Sequence, residues 1–175
     1  MPLASTQAMK PLIPGTLPGL IAHAIAFERE AASRFHEYAG HLRELGARRT
    51  AEAFQRMELI ERAHLRSLEE CVGAGALPEL QPADYMRHLL STRDALELAF
   101  PESPRNAREA LVLALAAERR AEIYYRDAAA NASDPKVRGL AADLAAGEHR
   151  HVRVVERLLA YAVAGGPRDE RRVAA

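Results

Sequence analysis

Two segments of the chain carry a glutamate and a histidine three positions apart, Glu61-x-x-His64 and Glu148-x-x-His151. Two further glutamates, Glu28 and Glu118, interrupt otherwise apolar surroundings. On a helix a three-residue step puts both side chains on one face, so each pair presents a carboxylate and an imidazole in the same direction. Oxygen and nitrogen donors held this way are suited to iron or manganese, and zinc also accepts them. The composition yields about one such Glu-x-x-His pair by chance, so either motif alone has little weight. Their meaning depends on the elements that carry them.

The apolar positions Ile21, Ala24, Ile25, Ala31, Ala32, Phe35 and Leu42 recur at three- and four-residue steps, which predicts a first helix from about Leu17 to Leu45, closed by Gly46. Phe54, Met57, Leu65, Leu68 and Cys71 mark the buried stripe of a second helix that stops at Gly73, Gly75 and Pro78. Ser103 before Pro104 predicts the start of a third, with Leu111, Ala114, Ala121, Tyr125 and Ala128 as its stripe. Asp134 before Pro135 predicts a fourth, running through Leu140, Leu144, Val152, Val155 and Leu159 to about Val163. Between the second and third helices, Pro78 to Pro101 reads as a long crossover containing a short helix over 84–100. The organisation expected is an irregular arm over 1–16, one all-α four-helix bundle over 17–164, and a polar tail over 165–175.

Each stripe carries one of the four glutamates at its centre. In an antiparallel hairpin two residues share a level when the turn lies midway between them. The midpoint of Glu28 and Glu61 falls beside Leu45 and Gly46, and the midpoint of Glu118 and Glu148 is Ser133, both at predicted turns. Burying unpaired carboxylates is costly. Packed face to face, the hairpins bring four carboxylates and two imidazoles together, and two divalent cations neutralise the four acids. Glu28, Glu61, His64, Glu118, Glu148 and His151 are therefore the predicted ligands of a dinuclear site. The hairpins also resemble each other: a slide of ninety positions sets Ala24, Glu28, Arg29 and Ala31 over Ala114, Glu118, Arg119 and Ala121.

Other features restrict the function. Lysine plus arginine balances aspartate plus glutamate for a formal charge of zero, which removes the global field that nucleic acid or anionic membrane would need. The lone Cys71 makes neither an internal disulfide nor a thiolate metal site, is expected to be a small buried hydrophobe, and fits a cytoplasmic location. Residues 1–20 match neither a signal peptide nor a membrane span. Glu30, Glu37, Glu44, Glu69 and Glu70 are expected on solvated faces, and the histidines His23, His36, His41, His88 and His149 on the surface or crossover. Glu58 and Glu122 lie near the ligand face, where solvation is expected and support of the ligands or an alternative ligand role is the other reading.

On Glu28 to Phe35, Glu61 with His64, Glu118 with Tyr125, and Glu148 with His151, residues 17 to 163 resemble the ferritin-like di-iron carboxylate superfamily, in particular its rubrerythrin and bacterioferritin branches. The resemblance implies two irons, with manganese or zinc as substitutes. It assigns Glu28 and Glu118 as terminal ligands, Glu61 and Glu148 as bridges, and His64 and His151 as nitrogen ligands. Tyr125 would hydrogen-bond a terminal carboxylate. No cysteine-paired rubredoxin module is present, so a separate electron-donor protein is implied. The further glutamate that rubrerythrins place on the third helix is Ala121 here, with Glu122 turned away beside it, and Phe35 stands where the mate of Tyr125 would be.

The function implied is redox chemistry on hydrogen peroxide or dioxygen, with ferrous iron oxidation, by an oxidoreductase acting as a homodimer. Three other readings remain: a ferritin-like storage subunit, a di-iron hydroxylase with an elongated apolar pocket, and a metal-free structural bundle.

Overall fold

The computed structural model describes residues 15–72, 75–80 and 104–164. They form four helices: α1 Leu17–Glu44, α2 Arg48–Val72, α3 Ala107–Asn131 and α4 Pro135–Val163. The expected crossover helix over 84–100, the arm and the tail lie outside the described residues. Among those residues no helix is long and apolar enough to cross a membrane.

The ends are set by local chemistry. Thr16 caps α1, its hydroxyl accepting from the Gly19 amide at 3.2 Å. The chain leaves α1 through Gly46 at φ +79°, where the Gly46 amide donates to the Arg43 carbonyl (3.0 Å) and the Ala47 amide to the Leu42 carbonyl (2.8 Å). This is the Schellman pairing, and its left-handed residue is the one position here that requires glycine. Asp134 caps α4 by accepting from the Lys136 amide at 2.8 Å, with Pro135 in the first turn as expected.

The third helix starts later than the Ser103-Pro104 signal predicts. Asn106 is its cap, accepting from the Glu109 amide at 2.9 Å, while Glu109 accepts from the Arg105 amide at 2.8 Å. Asn106 satisfies the Glu109 amide of the first turn, the Glu109 carboxylate takes the Arg105 amide just ahead of the cap, and Pro104 is buried before them.

The closest packing is α1 on α2 and α3 on α4, with α1 also touching α3 and α4. The apolar core falls into two clusters. One holds Leu20, Ala24, Phe27, Leu68, Tyr125, Val137 and Ala141. The other holds Phe35, Leu42, Phe54, Met57, Leu111, Ala114 and Val155. Along α1 the clusters are separated at Glu28, and along α4 at Glu148 and His151, so a polar layer crosses the middle of the bundle. Cys71 does not join the core but is exposed. Val72, four residues beyond Leu68, packs inward instead, because a four-residue step returns closer to the same helical face than a three-residue step.

Candidate metal centre

Each helix delivers its predicted acid to that middle layer. Glu28, Glu61, Glu118 and Glu148 are all buried, between 2 and 6% exposed. The turn midpoints explain the common level: α1 ends at Glu44 and α2 starts at Arg48, while α3 ends at Asn131 and α4 starts at Pro135. The two imidazoles stack across the layer with centroids 5.1 Å apart and planes 9° from parallel.

The carboxylates converge on these rings. His64 Nδ1 is 3.6 Å from Glu28 Oε2 and 3.5 Å from Glu61 Oε2. His151 Nδ1 is 3.1 Å from Glu61 Oε1, 3.4 Å from Glu118 Oε2 and 3.4 Å from Glu148 Oε2. Glu61 thus directs one oxygen to each imidazole. Glu28 faces His64, and Glu118 and Glu148 face His151.

These groups lie at ion-pair distance without being aligned as hydrogen bonds: Glu28 Oε2 and His151 Nδ1 are buried and lack a hydrogen-bond partner. Buried polar atoms are ordinarily paired, and a carboxylate oxygen and an imidazole nitrogen left without partners are able to take a metal ion. Donor atoms of Glu61, His64 and His151, and of Glu118, Glu148 and His151, come within 4.8 Å of one another. Hard oxygen and borderline nitrogen donors of this kind fit iron, manganese or zinc.

The electrostatics follow from burial and from the mutual contacts of these groups. Burial pushes Glu61 up to about 9, with Glu28 and Glu118 adding to it against the pull of His64 and His151. Burial likewise pushes Glu148 up to about 8 despite His151. His64 is raised to about 9 by Glu28 and Glu61. Burial opposes the charged form of His151, yet Glu118, Glu148 and Glu61 together lift it to about 11. Glu28 moves the other way: burial would raise it, but His64, Glu61 and His151 outweigh that and hold it below the usual range. The layer keeps protons where a metal would otherwise supply positive charge.

Two openings reach the layer. Between α1 and α3 a narrow cavity of about 50 Å³ runs to the four carboxylates, walled by Phe27, Ala31, Phe35, Ala117 and Ala121, with Glu30, Arg34 and Arg120 also lining it. On the opposite side a wider pocket of about 190 Å³ between α2 and α4 exposes His64 and His151, beside Ser67, Asp143, Gly147 and Arg150.

Around the six side chains the outcome is mixed. Tyr125 is fully buried, but its hydroxyl makes no hydrogen bond, contrary to expectation, because the carboxylates turn toward the imidazoles. Its ring packs edge-on to Phe27 and Tyr124. Glu58 is buried rather than solvated, held by His36 at 3.2 Å and Arg62 at 2.9 Å. Glu122 is held by His149 at 3.2 Å and Arg126 at 3.7 Å. Each acid is thus held by a histidine of the neighbouring helix and an arginine of its own. Sequence reasoning missed them because His36–Glu58 and His149–Glu122 are separated by 22 and 27 residues, and only the hairpin register brings them together.

Comparison with known proteins places the chain in a family. A family model described as rubrerythrin matches residues 20–159. A crystal structure of an uncharacterized conserved protein from Magnetospirillum magnetotacticum MS-1 is 32% identical, with a TM-score of 0.68, covering 82% of this chain and 93% of the other. No curated protein is significantly similar.

Proposed function

Because the chain belongs to the rubrerythrin family and has its ferritin-like bundle, we propose that it is a di-iron oxidoreductase that reduces hydrogen peroxide or dioxygen and oxidises ferrous iron. The observation that carries this reading is the convergence of four buried carboxylates and two imidazoles, with Glu28 Oε2 and His151 Nδ1 left without partners. Glu61, which directs an oxygen to each imidazole, would be a ligand shared by the two metals. Glu148, which faces His151, would hold the metals with Glu61, the role the family resemblance implies for both. Glu28 with His64 and Glu118 with His151 would complete the two ends.

Two bound irons would supply one electron each, the two-electron total that peroxide reduction requires. The chain's own residues set the terms of access. The α1–α3 cavity, about 50 Å³, has room for a molecule the size of dioxygen or peroxide. Its small volume suits an oxidant better than a larger organic substrate. The α2–α4 opening brings an edge of His64 to the surface, a short route for electrons from a separate donor protein. A cytoplasmic homodimer is the working form proposed, in keeping with the unpaired Cys71 and the exposed Leu59 and Ile60 on α2.

The test is rapid mixing of anaerobically iron-loaded protein with hydrogen peroxide and, separately, with dioxygen, following the absorbance of the oxidised centre. Stoichiometric oxidation by either oxidant supports the proposal. Loaded protein that reacts with neither overturns it.

A further inference from the structure

The α1–α3 opening has a feature the metal centre does not use. Arg34 and Arg120 line the same cavity from opposite helices. Arg34 is ion-paired to Glu30 on its own helix. The Nε of Arg120 is buried and has no hydrogen-bond partner, and among the described residues no acid forms an ion pair with it. Beside it stand a second guanidinium and the Tyr38 phenol, which is buried against Phe54. A partly buried guanidinium next to another cation, without its own carboxylate, is an unfavourable arrangement unless something else supplies the negative charge.

We propose that Arg120, assisted by Arg34, binds a small monovalent oxyanion at the entrance of the α1–α3 cavity. The planar guanidinium fork matches two oxygens of one anion, which defines the ligand chemistry. Its charge is limited to one because Glu30 already neutralises Arg34, so Arg120 offers a single unbalanced positive charge. Its size is limited by the cavity of about 50 Å³ and by the carboxylates that line it. The site stands on the guanidinium pair and the cavity, and does not depend on which metal the centre holds or on the oxidant it reduces.

The probes are nitrate and formate, added to the full-length zinc-loaded protein at constant ionic strength, with side-chain Nε–Hε resonances of the arginines followed by NMR. Arg120→Lys, which has no such group and keeps the charge, identifies the Arg120 signal. The expected result is a saturable shift of that signal with either anion, and binding weakened roughly tenfold or more in Arg120→Gln. An Arg120 signal that does not saturate, or equal affinity in Arg120→Gln, overturns the proposal. Should Arg120→Gln fail to fold, the titration of the unmodified protein, with its signal identified by Arg120→Lys, decides the question alone.

Discussion

Loading the metal-free protein with zinc at pH 7 is predicted to release about two to four protons for each pair of metal ions, because a ligating carboxylate must be ionised and a ligating imidazole neutral. In the metal-free fold burial raises Glu61 to about 9 and Glu148 to about 8, contact with Glu28 and Glu61 raises His64 to about 9, and the carboxylates around His151 overcome burial to raise it to about 11. A carboxylate that holds a proton no longer lifts its neighbouring imidazole by charge, so these four residues share about two to four protons at pH 7. Glu28, held below the usual range, has none to give. Zinc is the suitable probe because it binds the same donors without redox chemistry. Calorimetric titration in buffers of differing ionisation enthalpy counts the protons directly, and the number should fall at pH 8.5 as Glu148 begins to ionise on its own. Release of one proton or fewer at pH 7 would refute the reasoning that protons occupy the layer in place of metal. The same shifts fix the sign of a stability trend. Glu61, Glu148, His64 and His151 have folded pKa values above their ordinary ones, so metal-free folded protein binds more protons than the unfolded chain between about pH 5 and 9, and its stability should fall as pH rises through that window.

Three substitutions test the fold. Gly46→Ala should cost about 1 kcal/mol in urea denaturation, because a side chain at φ +79° is strained although the space around it is open. Phe54→Ala, at a position fully buried against Phe35 and Tyr38, should cost roughly 3–5 kcal/mol in the same assay. Tyr125→Phe should leave the melting temperature of the metal-free protein unchanged or raised, since the hydroxyl removed is buried without a hydrogen-bond partner; a clear loss would show that it has one.

Most of the centre was legible in the sequence because helical spacing and turn position are local rules. Glu61 with His64 and Glu148 with His151 follow from a three-residue step, and their shared level follows from turns at Gly46 and Ser133. The less legible features depend on rotation about a helix or on partners distant in sequence. Cys71 and Val72 differ by one residue, yet Val72 turns inward and Cys71 does not. Glu58 and Glu122 look like surface acids until hairpin packing supplies His36 and His149. α3 starts at Ala107 because Asn106 caps the Glu109 amide, a signal the serine-proline pair ahead of it obscured in the sequence.

The central claim is that the polar layer is a dinuclear metal site, and metal content per chain tests it most directly. Elemental analysis of protein loaded anaerobically with ferrous iron and freed of excess should give about two irons per chain, with most of that iron lost in Glu61→Ala and in Glu148→Ala while both variants remain helical. Little iron in the unmodified protein, or two irons retained in both variants, would contradict the account.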